Sequence, residues 1–398
     1  MQLHQISDKP QPVAVLPGWP VLRLGFRPFY LTSALLACLS VPVWAAVFLG
    51  YFDMKLELSP LLWHGHEMLF GFAAGVIAGF LLTAVKAWTG LETARGPLLG
   101  TLALVWVAAR IAALVAPYPV FMGLDMALLP AVALVLLRVL IKSGNKRNIP
   151  LVSLLVLMSI ANLVFHLSVL GAIAVPAVAP LYAQLALVIM VICVMTGRVV
   201  PMFTKNVTPG LVINVSRRFE LTLLTVTAAT LALWVLGAPA PLVGVLSAVA
   251  AVLHAARLWQ WHPRVTLKRP ILWILHASYA WMPMGFALLA LAQWGLVGMS
   301  LAVHAFAIGV IGGLIIGMIT RTARGHTGRP LLASRGEVVA YALVLLAAAA
   351  RVLVPALQPA WYAYAVEAAA CLWAVAFAIY LVIYTPWLTQ TRLDGKDG

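Results

Sequence analysis

Two histidines and a glutamate stand together in a part of the chain that is otherwise apolar. The stretch WHGHE places His64, His66 and Glu67 at the start of an apolar run that continues to residue 85. Imidazole is the commonest metal ligand among side chains, and a carboxylate beside it can transfer protons. The spacing therefore indicates metal or redox chemistry at a buried site, with Glu67 as the candidate catalytic proton relay.

These residues must be positioned by membrane-spanning helices. The chain has 398 residues, of which 64% are hydrophobic and only 9% are charged, a composition that excludes an ordinary soluble domain. Apolar runs of about 20 residues, each long enough to cross a bilayer as a helix, recur along its length. We predict an all-α integral membrane protein with a single bundle of about twelve transmembrane helices, at residues 29–50, 61–85, 97–117, 119–141, 150–171, 180–204, 218–237, 240–262, 270–294, 297–320, 336–355 and 360–385.

The basic residues indicate how this bundle is oriented. The formal net charge is +15, and most of the Lys and Arg lie in alternate loops and near both termini, whereas the opposite loops contain Lys55 and little else that is basic. By the positive-inside rule both termini are predicted to be cytoplasmic. This distribution argues for a lipid bilayer as the partner and against nucleic acid. The predicted organisation is an N-terminal leader (1–28), a transmembrane domain (29–385) and a C-terminal tail (386–398).

With this orientation, nine ionisable side chains from seven helices fall in the outer third of the membrane. Such groups cost about 2.5–3.5 kcal/mol at the bilayer centre and therefore should face the bundle interior. One interpretation is a structural network in which the arginines pair with the carboxylates. The other is a cofactor site in which the histidines bind a metal or haem and the arginines hold haem propionates. The nine are His64, His66, Glu67, Arg110, Asp125, His166, His304, Arg351 and Glu367.

Helical geometry separates the two histidines of the WHGHE stretch. Residues two apart on a helix point about 200° apart, so His64 and His66 are predicted to serve two sites on opposite sides of one helix. Glycines follow His64 and His304 at four-residue spacing. They indicate either close helix packing or room for a flat macrocycle beneath an axial histidine. The glycines are Gly71, Gly75, Gly79, Gly309, Gly313 and Gly317.

Four further histidines lie toward the predicted cytoplasmic half and are candidate metal ligands. Pro283 is predicted to kink its helix, and the nearby Met282 and Met284 carry thioethers of the kind that suits Cu(I). Histidines in loops are also commonly solvated, so both interpretations stay open for this set. The four are His254, His262, His276 and His326.

Several segments together resemble the NnrS family of bacterial multi-pass membrane proteins. The resemblance implies an inner-membrane protein that contains haem and copper and is tied to nitric oxide metabolism and nitrosative stress in denitrifying or nitric oxide-exposed bacteria. The family motifs contain His64, His66, His262, His276, His304 and His326, whereas His166 and His254 are candidates by depth alone. The matching segments are RPFYL (27–31), WHGHEMLFGFAAGVIAGFLLTAV (63–85), WTG (88–90), GRVVPMFTKN (197–206), HPRVTLKRPILWILHASYAWMPMG (262–285) and HAFAIGVIGGLIIGMITRTARGHTGRP (304–330).

Twelve helices with buried histidines also resemble the catalytic subunit of haem–copper oxidases and nitric oxide reductases. The histidine positions differ, however, because the sixth and seventh predicted helices contain none. Either the likeness is architectural only or the copper site is built differently.

The functional hypothesis is a redox protein with b-type haem and copper, a candidate nitric oxide reductase-like enzyme that receives electrons from a quinol or a cytochrome. The alternatives are a secondary transporter and a non-catalytic haem- or copper-binding sensor or chaperone.

Overall fold

The computed structural model describes residues 18–397, and within this range the chain is helical with no β-strand. Residues 1–17 of the predicted leader lie outside the described residues. The prediction of an all-α membrane bundle is confirmed, because twelve helices in the described range are long and apolar enough to cross a membrane. They are α1 (Phe26–Phe48), α2 (Pro60–Thr89), α3 (Pro97–Val115), α4 (Tyr118–Lys142), α5 (Lys146–Val169), α6 (Val178–Asn206), α7 (Arg217–Val235), α8 (Ala240–Gln260), α9 (Pro270–Gln293), α10 (Met299–His326), α11 (Arg335–Leu357) and α12 (Pro359–Thr389).

The predicted bounds are close to the observed ones except at the basic end of α10. The sequence places residues 321–330 in a loop, but the helix continues to His326. Its last turn is stabilised by Arg324, whose Nε donates to Glu337 Oε1 on α11 at 2.7 Å. The same carboxylate accepts a hydrogen bond from Tyr384 on α12. Charged residues therefore continue the helix here because the neighbouring helices supply partners for them.

Helices α2 and α10 form the centre of the bundle. In their most apolar stretches 83% and 72% of the residues are buried, the two highest shares among the spans described. Helix α1 packs between α2 and α12, α11 packs on α12 and α10, and α6 contacts the middle of both central helices. The most apolar parts of α2 and α10 are thus surrounded by protein.

Both central helices are irregular at the histidines. A π-helical segment, Glu67–Ala73, begins directly after His66 in α2. A second, Ala305–Gly312, begins directly after His304 in α10. Such wide turns are rare and occur frequently at functional sites. Each central helix therefore has a π-helical segment directly after a histidine that the sequence singles out.

Helix α9 is interrupted where the sequence predicts a kink. Its two halves are Pro270–Tyr279 and Trp281–Gln293. Pro283 has no backbone N–H to donate to the carbonyl of Tyr279, so the helix loses a hydrogen bond one turn before the proline.

The glycine ladders serve helix packing, and the expectation that they make room for a macrocycle is wrong. A Cβ at Gly71, Gly75 or Gly79 would lie within 3 Å of side chains of α1. A Cβ on the ladder of α10 would likewise meet Trp281, Ser278 or Leu275 of α9. The π-helical turns break the 3.6-residue repeat on which the expectation rested, so the glycines rotate away from the histidines that precede them.

Leucine at Gly79 is expected to lower stability, because a Cβ there lies 2.7 Å from the Cβ of Phe29 and 3.1 Å from the carbonyl oxygen of Gly25. Overpacking of this kind costs about 1–3 kcal/mol. Thermal unfolding in detergent measures the effect. Gly123→Leu is the matched control, because nothing lies within 4 Å of a Cβ at that exposed helical glycine. Equal melting temperatures for the two variants would contradict the packing role.

Candidate functional site

A cavity lies between the two π-helical segments and is bordered by helices α1, α2, α6, α10, α11 and α12. His64, His304 and Arg351 contribute its ionisable lining, and the rest of the wall is mostly apolar. The volume open to the centre of a water molecule is about 250 Å³. A single buried water needs roughly 10–15 Å³ on this scale. The cavity therefore has room for a ligand of many atoms.

Each of the two cavity histidines has a ring nitrogen without a hydrogen-bond partner in the described range. His304 Nδ1 lies 2.7 Å from the backbone carbonyl oxygen of Ser300, to which it can donate. That bond sets the tautomer that keeps the Nε2 lone pair available, as metal-binding histidines require. The ring of His64 stacks on Trp44 at 3.9 Å between centroids and 19° between planes. No residue in the described range hydrogen-bonds to His64.

Arg351 places an incompletely paired cation in the cavity wall. The residue is only 3% exposed, and its Nη2 donates at 3.0 Å to Ser300 Oγ and to Tyr362 OH. Its Nε and Nη1 are buried and have no partner among the described residues. Glu367, a carboxylate from the same predicted layer, pairs instead with Tyr51. A buried guanidinium with free donors is costly, so an anionic group in the cavity would satisfy it.

His66 lies on the opposite side of α2, as the two-residue spacing predicts. It is fully buried in a polar cluster with Asp125 of α4 and with Asn162 and His166 of α5. His66 Nε2 lies 3.2 Å from Asp125 Oδ2, and His166 Nε2 lies 3.1 Å from the same oxygen. These three residues are the one group in the described part of the chain whose ligand atoms converge as a metal site requires.

Arg110 of α3 pairs with both carboxylates of this second cluster. Its Nη1 donates to Glu67 Oε1 at 2.8 Å, and its Nη2 pairs with Asp125. Glu67 is 1% exposed and also lies 3.2 Å from His66 Nδ1. Eight of the nine residues of the predicted outer layer therefore separate into two sites, and Glu367 belongs to neither. Arg110 and Glu67 belong to the ion-paired one, so the structural interpretation holds for Arg110 and not for Arg351.

The comparison with known families agrees with this architecture. The family model described as NnrS protein matches residues 20–392, nearly the whole chain. The chain belongs to the NnrS family. A search of curated proteins returned no match. Membership fits a role linked to the nitric oxide response, and the twelve candidate spans fit a multi-pass membrane protein.

The four histidines that the sequence places toward the cytoplasmic half of this NnrS chain lie outside both sites. His254 is buried between Tyr279 OH, at 2.6 Å from Nδ1, and Thr227 Oγ1, at 3.0 Å from Nε2. His276 Nε2 lies 3.0 Å from Thr204 Oγ1. His262 is exposed, and His326 lies beside the ring of Phe26.

The two predicted thioether ligands differ in their exposure. Met282 is fully buried, whereas Met284 is 39% exposed. None of the four inner histidines joins a three-ligand group within residues 18–397.

Several residues that contact the side chains of the two NnrS sites are not among the candidates taken from the sequence. Asn162 could have been found, because it is a polar residue in an apolar helix, four residues before His166 and hence on the same face. Trp44, Tyr118 and Tyr362 carry no such signal, since aromatic residues near helix ends are usual in membrane proteins. Their roles depend on which helices are neighbours.

Proposed function

We propose that this NnrS protein binds a b-type haem in the cavity between α2 and α10 and acts on nitric oxide there, in the inner membrane of a bacterium, as part of nitric oxide metabolism and defence against nitrosative stress. The observation that carries the proposal is the combination in one cavity of two imidazoles and a buried arginine with unsatisfied donors. Family membership supports the link to nitric oxide. The cytoplasmic location of both termini, taken from the distribution of basic residues, is part of the proposal.

The residues of the cavity fit a haem. His64 and His304 are the residues whose imidazoles would hold the haem, because they line the same cavity from different helices and each has a nitrogen without a hydrogen-bond partner in the described range. Arg351 has two free donors, Nε and Nη1, on different edges of its guanidinium, and either would donate to a propionate oxygen in a charge-assisted hydrogen bond. The apolar wall of α6 and α12 would cover the ring and exclude water. Arg110, the other predicted propionate partner, already pairs with two carboxylates.

When bound, a haem would supply the redox chemistry that nitric oxide reduction needs. Reduction of two molecules of nitric oxide to nitrous oxide and water consumes two electrons and two protons. The Ser300 carbonyl and the Trp44 ring fix the two imidazoles, and the apolar wall keeps competing water out. A quinol or a cytochrome is the proposed electron donor.

Glu67 remains the proposed proton relay, although its side chain does not line the cavity. Its carboxylate belongs to the cluster of His66 and Arg110, on the other side of α2 from the cavity. Protons would therefore reach the outer half of the bundle through this cluster. Copper, the second cofactor that the family resemblance implies, is also a proposal, and the inner histidines are not assembled to hold it.

Purified protein from haem-supplemented cells tests this function. We expect a Soret band, near-stoichiometric iron and consumption of nitric oxide under anaerobic conditions with an added reductant. Colourless, iron-free protein would overturn the haem assignment. Haem-loaded protein that binds nitric oxide without consuming it would overturn the catalytic part and favour a sensor. The exposed variant His262→Ala is the matched control for both measurements.

A further inference from the structure

The buried cluster on the far side of α2 has the arrangement of a metal site, with a ligand that the histidine pattern does not indicate. His66 Nε2 and His166 Nε2 both approach one oxygen of Asp125, at 3.2 and 3.1 Å. Ligands of a single ion bound at about 2.0–2.2 Å lie at comparable separations from one another. The three side chains come from α2, α4 and α5, so the folded bundle alone brings them together.

The outer nitrogens of the two imidazoles are held as they are in metal sites. His66 Nδ1 lies 3.2 Å from Glu67 Oε1, and His166 Nδ1 lies 2.9 Å from Tyr118 OH. If each Nδ1 donates, each Nε2 presents its lone pair toward Asp125. A carboxylate or hydroxyl behind a ligating histidine is the usual means by which proteins fix its tautomer and orientation.

The charge of the cluster favours a cation. Glu67 and Asp125 carry two negative charges when ionised, and Arg110 supplies one positive charge. All three are at most 7% exposed, so the excess negative charge is poorly solvated. A small cavity of about 10 Å³ borders Asp125, Arg110 and Asn162, about the space of one water molecule. This space allows the carboxylate to shift when an ion enters.

We propose that His66, Asp125 and His166 bind a divalent first-row transition-metal ion, separate from the haem site. Two imidazoles and a carboxylate suit ions such as Zn²⁺, Fe²⁺ or Cu²⁺, whereas Cu⁺ prefers the thiolate and thioether donors that the cluster lacks. Copper at this position would therefore be Cu²⁺. The assignment rests on the geometry of the cluster and does not depend on haem binding.

Titration of the purified full-length protein with Co²⁺ tests the site, because Co²⁺ absorbs in the visible range when bound by nitrogen and oxygen ligands. After chelator treatment, we expect one equivalent to bind and to be displaced by Zn²⁺. Asp125→Asn and His166→Asn are expected to lose that equivalent. Tyr118→Phe should weaken binding about 10–100-fold, as changes behind a ligating histidine typically do.

His254→Asn is the matched control, since it removes a buried imidazole that is hydrogen-bonded to a hydroxyl outside the cluster. Size-exclusion chromatography checks that each variant is folded.

X-ray absorption of the wild-type protein loaded with Zn²⁺ gives a second measurement that needs no variant, and we expect two imidazoles and a carboxylate oxygen around the ion. Absence of binding, stoichiometric binding that survives both Asp125→Asn and His166→Asn, or binding of Cu⁺ alone would each overturn the proposal. None of these outcomes depends on the Soret band, so failure here is distinguishable from failure of the haem proposal.

Discussion

Alanine at His304 or at His64 is expected to remove most of the haem from the purified protein, whereas alanine at His66 or at His166 is expected to leave it in place. The reason is the side of α2 on which each imidazole lies. His64 and His304 line the large cavity, and His66 and His166 converge on Asp125. Changes behind a metal ligand cost about 10–100-fold in affinity, so loss of a ligand itself should cost at least that much. The ratio of Soret to protein absorbance, with iron analysis, measures the loss.

Chemical rescue sharpens this prediction. In His304→Ala the side chain is replaced by a gap of imidazole shape, so added imidazole should restore part of the Soret band. The exposed His262→Ala variant should behave as wild type with or without added imidazole. If His166→Ala loses as much haem as His304→Ala does, the haem lies elsewhere. Retention of haem by both His64→Ala and His304→Ala would have the same meaning.

The sequence was sufficient for the spans and for the division of the WHGHE stretch between two sites. Apolar length sets the number of helices, and the angular repeat of a helix places His64 and His66 on opposite faces. Both features are local, so they can be read without knowing which helices are neighbours. The orientation of His66 is confirmed by its contact with Asp125, and that of His64 by its place in the cavity wall.

Which histidine belongs to which site could not be predicted. His166 and His304 fall at similar predicted depths, yet the packing of α5 on α6 and of α10 on α11 sends them to opposite sides of α2. The π-helical turns after His66 and His304 also have no clear signal in the sequence. They rotate the glycines that follow onto α1 and α9, so an extrapolation at 3.6 residues per turn assigns those glycines to the wrong face. Asp125 was found by depth, but its role depends on how α4 packs against α2 and α5, which depth alone does not give.

Arg110→Met is expected to destabilise the protein more than the loss of any other single side chain from one of the protein's ion pairs. Arg110 is 7% exposed and is the cation for both Glu67 and Asp125. Its removal leaves two buried carboxylates without a counterion. Breaking a buried pair from one side costs about 3–5 kcal/mol, mainly because the remaining charge is uncompensated. Thermal unfolding in detergent, read by intrinsic fluorescence, measures the effect on apparent stability.

The matched control is Arg95→Met, which removes the arginine from an ion pair with Asp397 whose side chains are 31% and 34% exposed. Solvent-accessible pairs contribute about 0–1 kcal/mol, so this variant should melt close to wild type. Adding Glu67→Gln and Asp125→Asn to Arg110→Met removes the uncompensated charges, and replacement of a whole buried ion network is often neutral. The triple variant should therefore recover most of the stability while remaining unable to bind a metal through Asp125. An Arg110→Met protein as stable as Arg95→Met would show that the carboxylates are not ionised in the bundle.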